Sequence, residues 1–495
     1  MNHISLREAD PAPALDAEAT DALIHEAAEI AARYLAGHAD RNEPTVRHFT
    51  PAELSERFDL ALPHAGRPIE AILEDVRKTL HYSVRTGHPG FSNQLYGDYD
   101  PVAVIGEWMT ALLNTSAYTY EVAPVVSMME VALVRHMCGF VGWPADLGEG
   151  VFTPGGSIAN LMAVLAARGR ALPHVRERGL QPGDRLALFM SEEAHYSVER
   201  AAIVAGIGTC GVHKVAVDRL GRMLPDALET AVRTAVAQGQ RPFFVCATAS
   251  TTVAGAFDPI DDLAEVAGRE RLWLHVDAAC GGGVLLSEQR RALMRGCELA
   301  DSVTWDPHKM MGQPLMCSVL LVRERGRLAQ TNAMRARYLF HDNDGSAFDL
   351  GDLGLQCGRR VDSLKLWLSW NALGDEGHAR RIDRLFELAQ AFRGMVIERE
   401  GFELLREPQG CNTCFHFVPE SLRGLRPGRE RSRRLGEVTV RIRERLRREG
   451  RILTNYAPLD GVTVFRHVAS NHRATEEDLA FLLDEIARVG AGLEA

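Results

Sequence analysis

Four short, uninterrupted apolar runs mark the middle of the chain: LALFM (186–190), FFVCATA (243–249), LWLHVDA (272–278) and CSVLLV (317–322). Each is too short to be a helix, and helix-length stretches of mixed character separate them. Continuous apolar runs of strand length imply strands buried on both faces, so the pattern predicts a mostly parallel sheet with crossover helices. The alternation extends from about Asn114 to Leu373. Before it, residues 1 to about 50 mix Ala, Glu and Asp in short helical patterns. From about Gly377 the chain turns rich in Arg and Glu and closes on a helical tail, which suggests a smaller α+β domain. The expected division is residues 1–113, a helical segment; 114–375, a large sheet domain; and 376–495, a small domain. No internal repeat or low-complexity linker interrupts it.

With 495 residues the chain exceeds one compact core. Hydrophobic residues at 46% and charged residues at 25% give the balance of an ordinary soluble protein. A net charge of −10 argues against a nucleic-acid partner, which needs a basic surface. The basic stretch 429–451 spaces Glu and Arg at helical intervals and reads as a solvated helix face. No signal-peptide pattern opens the chain, and no apolar run reaches about 18 residues, so neither export nor a membrane span is expected. Nine scattered cysteines without framework spacing suit a reduced, cytoplasmic setting. Cys411 and Cys414 are spaced as a redox or zinc half-site, but no second half-site exists and a strand-like run follows. No metal is expected.

Candidate chemistry gathers where the apolar runs end. In DSVTWDPHKMMG (301–312) a strand-like run stops at Trp305, Pro307 blocks its continuation, and His308 and Lys309 follow. Open α/β sheets bind ligands beyond the carboxyl ends of their strands. A partly buried lysine there can lose its proton and form a Schiff base. LWLHVDA delivers Asp277 to a similar place, where a carboxylate suits a cofactor's pyridine nitrogen. TPGGSIANLMAVLAA (153–167) is a glycine turn followed by an amphipathic helix with apolar Ile158, Leu161, Met162 and Leu165. The free N–H groups at Gly155, Gly156 and Ser157 form an anion site suited to phosphate. His195 follows LALFM, where an imidazole can stack on a cofactor ring or simply cap a helix.

Taken together, these segments resemble the group II pyridoxal-phosphate decarboxylases, in the branch of glutamate, cysteine sulfinate and aspartate decarboxylases. The resemblance runs from about His88 to the carboxyl terminus. It is carried by GHPGFSNQL (87–95), NTSAYTYEVAPV (114–125), TPGGSIANLMA (153–163), SEEAHYS (191–197), LHVDAACGGG (274–283), WDPHKMMGQPLMCSVLLV (305–322), YLF (338–340) and QCGRRVDSLKLWL (356–368). It implies a type I, aspartate aminotransferase-like α/β fold with a mostly parallel sheet of seven-stranded type. It also implies a homodimer with active sites at the interface, into which residues 1–113 pack. Pyridoxal 5'-phosphate is the implied cofactor, with Lys309 as its Schiff-base lysine, Asp277 on the ring nitrogen and His195 stacked on the ring. Gly156, Ser157 and His308 fall to the phosphate, Thr252 packs near the ring, and Gly155, Ala279 and Asp306 complete the cofactor set. Gln94 meets cofactor or substrate, Arg466 clamps a substrate carboxylate, and Tyr338 on a mobile loop returns a proton to the α-carbon.

Several positions depart from the family pattern. Asp306 stands where Asn is usual before PHK, and Cys280 replaces the usual aromatic after DAA. Gly90 and Ser92 are smaller than expected, Tyr96 is larger, and Asp98 is unusual. The expected reaction is α-decarboxylation of a short acidic L-amino acid. Aspartate or cysteine sulfinate is favoured over glutamate, because Tyr96 should shorten the space for the distal acid; against this, Cys280, Gly90 and Ser92 remove volume from the walls and could admit a branched or modified side chain. A non-proteinogenic substrate is one alternative. A catalytically silent binding protein is another, against which the retained Lys309 and Asp277 argue.

Overall fold

The apolar runs become neighbouring strands. The structure, a computed structural model, describes residues 17–144, 147–341 and 343–493; the first sixteen, which carry the reading of the amino terminus, lie outside it. The large sheet comprises β1 (Glu149–Thr153), β2 (Leu186–Ser191), β3 (Val212–Val215), β4 (Arg241–Thr248), β5 (Trp273–Ala278), β6 (Ser302–Trp305) and β7 (Ser318–Val322). Their order is β1-β7-β6-β5-β4-β2-β3, with only β7 antiparallel to its neighbours. This is the type I α/β sheet that the sequence predicted.

Continuous apolar runs are needed because helices cover both faces. Ala187 and Phe189 of β2 enter one core with Leu228, Leu263 and Val134, while Leu186, Leu188 and Met190 enter another with Met162, Ala163 and Val198. In the helix Gly156–Ala171 the buried residues are Ala159, Asn160, Met162, Ala163, Val164, Ala166 and Ala167. The expected stripe of Ile158, Leu161 and Leu165 is only half-buried. The side chains that meet the sheet are mostly small, which lets the helix approach its strands closely.

Register then sets the site. Thr248 lies opposite Asp277, and Ala278 opposite Trp305, so β4, β5 and β6 end level with one another. A smaller antiparallel sheet follows, with β8 (Phe402–Leu404), β9 (Asn412–Phe417), β10 (Asn455–Leu459) and β11 (Val462–Val468) in the order β10-β11-β9-β8. Helices Arg429–Glu449 and Glu476–Ala491 pack on it, and the basic stretch is indeed a helix with a solvated face. The long helix Asp362–Glu398 breaks at Gly374 (φ 65°, ψ 179°), beside the boundary expected at 375. Its first part packs on helices Pro101–Leu113 and Pro124–Val141, its second on the small sheet.

Helix Pro124–Val141 is the one described helix long and apolar enough to cross a membrane by length and composition. It lies against β1 and the long helix and buries Glu130 in an ion pair with Arg359. Nearer the amino terminus, helix Ala17–Ala36 buries only Ile30 and helix Ile69–Tyr82 buries no residue. Cys411 and Cys414 are buried thiols at β9, and no cluster of metal-ligating side chains exists among the described residues.

Candidate active site

A cavity of about 180 Å³ opens at the carboxyl ends of β4, β5 and β6. Lys309 reaches it from the turn after β6, where its Nζ lies 3.2 Å from Asp306 Oδ2. Burial works to lower the Lys309 pKa, but Asp306, with Cys280 and Asp277, outweighs it and holds the ammonium above its ordinary range. Asp306 is itself buried, and its Oδ1 meets no donor.

Asp277 is fixed at both oxygens. Oδ2 accepts from Asn160 Nδ2 at 2.8 Å and Oδ1 from the Ala279 N–H at 3.1 Å. Asn160 is the hub of a buried network. Its amide also donates to Ser197 Oγ at 2.9 Å, and its Oδ1 meets His275 Nε2 at 3.0 Å. His275 Nδ1 in turn faces Ser302 Oγ at 2.8 Å, which accepts from the Trp273 indole N–H at 2.7 Å. The network assigns a neutral His275, and burial pushes its pKa down to about 4.

The same logic assigns His195. Its Nδ1 lies 2.9 Å from Ser197 Oγ and accepts from the Ser197 N–H at 3.3 Å, so the ring proton belongs on Nε2. Burial lowers the His195 pKa, which favours this neutral form. The ring lines the cavity beside Asp277 and Lys309.

The fourth wall is the glycine turn after β1. Gly155 has φ +110°, and a Cβ on Gly156 would come within 2.6 Å of Asp306 Oδ2. No side chain caps the helix that starts here. Its first N–H groups, with Ser157 and the buried His308, therefore form an anion cradle at the cavity edge. His308 is anchored by its Nδ1, 2.7 Å from the Cys317 carbonyl oxygen, and burial lowers its pKa. An aldehyde-reactive amine, a fixed carboxylate, a flat neutral imidazole and an anion cradle fit pyridoxal phosphate. The partnerless Asp306 Oδ1 and Thr248 Oγ1 are further buried polar atoms at this site. Thr252, Ala279 and Cys280 line the same cavity.

Other expected residues lie elsewhere in the single chain. Gln94 does not line the cavity, although its neighbour Leu95 does. Tyr96 packs on Phe91 and lines a separate cavity of about 290 Å³, so the expected shortening of the pocket by Tyr96 has no contact behind it here. Arg466 Nη1 and Nη2 are engaged by the carbonyls of Thr252 at 3.1 Å and Asn93 at 2.7 Å. Tyr338 is 80% exposed and lines a cleft with Arg168, Arg176 and Asp352 rather than the cavity. Asp98 and Ser92 are buried outside the cavity, and Asp98 pairs with Arg381 and His472. Sequence reasoning missed Asn160, Thr248, Ser250 and Ser197, all of which line the cavity.

A strand edge so equipped belongs to the α/β enzymes that work through pyridoxal phosphate. Residues 51–418 match the family model described as the pyridoxal-dependent decarboxylase conserved domain, and the chain belongs to that family. Human cysteine sulfinic acid decarboxylase is 46% identical over 448 residues, covering 90% of each chain. Human acidic amino acid decarboxylase GADL1 is 41% identical over 483 residues, 97% of this chain and 92% of that one. The crystal structure of mouse CSAD in apo form superimposes with a TM-score of 0.93 at 43% identity, covering 97% of this chain and 100% of that one. Rice TDC with PLP and tryptamine, at 23% identity and a TM-score of 0.88, shares the fold. The protein is thus a carboxy-lyase with pyridoxal 5'-phosphate as its cofactor.

Proposed function

We propose that the enzyme removes the α-carboxyl group of a short acidic L-amino acid, aspartate or cysteine sulfinate ahead of glutamate. The observation that carries the acidic preference is Arg466. Its side chain is buried, its Nε has no partner, and no carboxylate pairs with it among the described residues. An unneutralised buried cation is costly and calls for an anion. The fork sits behind the Thr252 wall of the cavity, to which it is tied. The name of one relative above, cysteine sulfinic acid decarboxylase, supports a short substrate.

When bound through Lys309, pyridoxal phosphate supplies the sink for the electron pair left by departing carbon dioxide. Asp277 keeps a proton on the ring nitrogen, and Asn160 and Ala279 hold that carboxylate in place. His195 offers a flat wall and an Nε2 proton. Gly156, Ser157 and His308 hold the phosphate, with Asp306 beside it, while the expected free N–H of Gly155 is already given to the Thr153 carbonyl at 2.8 Å. Gln94, beside the Leu95 wall, and Arg466, behind the Thr252 wall, orient the substrate, and Cys280 leaves room for its side chain. Tyr338 returns the proton to the α-carbon from a partner copy in a homodimer. Exposed Trp108, Leu112, Leu113, Val122 and Val125 offer the apolar face for that copy, and Tyr338 has no role in its own cavity. The nine unpaired thiols fit a cytoplasmic setting.

The test is a comparison of specificity constants for aspartate, cysteine sulfinate, glutamate and asparagine. Acids should exceed asparagine by about a hundredfold, and Arg466→Gln should remove most of that margin. Equal turnover of asparagine and aspartate would defeat the proposal, and glutamate as the best acid would defeat the length preference.

A further inference from the structure

Beyond the end of β4, Ser250 occupies backbone that side chains avoid. Its φ is +71°, in the left-handed region where glycine is at ease, and it is one of few described non-glycine residues there. Its neighbours hold it in that shape. The Ala249 carbonyl accepts from Gly281 N at 3.1 Å, and Thr251 exchanges backbone bonds with Gly255 and Ala256 at 2.8 Å each. Strain of this kind persists only where surroundings enforce it, and it concentrates at ligand sites.

A second, independent observation concerns the side chain. Ser250 is 4% exposed, and its hydroxyl meets no nitrogen or oxygen partner, only the Cys280 thiol, a weak acceptor. It lines the cofactor cavity together with Cys280 and Thr252. Cys280 is a close neighbour; burial raises that thiol's pKa, with Lys309 and the Ser250 hydroxyl pulling it back. Behind the hydroxyl the small domain closes in, for a Cβ on Gly410 would stand 3.5 Å from Ser250 Oγ. Apart from that thiol, the donor's nearest open space is the cavity Ser250 lines, on the wall whose Thr252 carbonyl is held by Arg466.

We propose that Ser250 is a specificity residue, its hydroxyl donating a hydrogen bond to the acidic side chain of the substrate. The inference rests on the acidic-substrate reading above and adds the group that recognises the acid's oxygen beside the arginine. A buried donor aimed at a charged acceptor discriminates strongly against a substrate that cannot accept from it.

The experiment uses wild-type holoenzyme, Ser250→Ala and Ser250→Gly, with aspartate, cysteine sulfinate and two neutral analogues whose side chains accept no hydrogen bond, alanine and 2-aminobutyrate. Ser250→Ala removes the hydroxyl at the same backbone, and Ser250→Gly also relieves the strain. Both should raise KM for the acids about tenfold, with kcat falling far less. Cofactor content and absorption spectrum should be unchanged, and Ser250→Gly should melt no lower than wild type. Neutral analogues should be indifferent to either substitution. Unchanged KM values in both variants overturn the proposal. So does weakened cofactor binding with KM intact, which would assign the hydroxyl to the cofactor. A wild-type holoenzyme inactive on every acid overturns the substrate reading itself, and the inference with it.

Discussion

Lys309 is held as a cation by Asp306 at 3.2 Å, whereas its reaction with the cofactor aldehyde needs the neutral amine. Since Asp306 raises the lysine pKa, the amine is freed only as pH rises. Asp306→Asn removes that hold, leaving Cys280 and Asp277 as the opposing groups, and should lower the lysine pKa. The rate of cofactor capture by apoenzyme, followed by absorbance, should then rise at lower pH than in wild type. Superimposed pH profiles would show that Asp306 does not govern loading. Lys309 and Asp277 were legible in the sequence because each stands at the end of a strand-like run, whereas Asp306 entered through the resemblance, as a departure from the usual Asn. Asn160 was not, although an amide among the alanines of a buried helix face is a readable signal. Arg466 was assigned by resemblance alone; its ties to two carbonyls depend on segments hundreds of residues away.

Among the elements, the helix Gly156–Ala171 has the most to do at its first turn. Its start must admit an anion while a carboxylate crowds it, and only a residue without a Cβ leaves that space. Gly156→Ala should fold, because alanine favours a helix. It should also weaken cofactor affinity at least tenfold, as titration of apoenzyme with pyridoxal phosphate would show. Undiminished affinity would place the phosphate elsewhere. The strands β2, β4, β5 and β7 were readable as apolar runs. The strands β1 (EGVFT) and β3 (VHKV) were not, since they are short and carry glycine or charge. Of the helix's expected stripe Met162 is buried and Ile158, Leu161 and Leu165 pack half-buried on the same core, but most of the contact is made by the alanines between them. Hydrophobic periodicity points to its large residues, whereas close packing on a sheet selects its small ones.

At the scale of the molecule, helices Pro101–Leu113 and Pro124–Val141 carry the exposed apolar residues Ile105, Trp108, Met109, Leu112, Leu113, Val125 and Met128. Leu112 is 68% exposed and Val125 63%, values that a solitary protein has little reason to maintain on two neighbouring stretches of chain. Leu112→Glu should therefore convert a dimer into monomers in sedimentation experiments and abolish most turnover, while the cavity residues stay untouched. Monomers with full activity would refute the shared site, and a wild-type monomer would refute the dimer. None of this face was legible as such, because apolar residues bound for a partner resemble those bound for a core.

The two carbonyls held by Arg466 also bear on the order of synthesis. Ribosomes deliver the chain amino terminus first, and domains fold as units while later segments are still being made. Asn93 and Thr252 emerge 373 and 214 residues ahead of the arginine that joins them. A nascent sheet domain can already present Lys309 and Asp277, but its substrate side stays unfastened until β11 has been translated. Both ties close only after β11 has been made, and one buried core joins Phe465 and Leu483 to the large sheet, so the last segments translated complete the core as well as the Arg466 contacts.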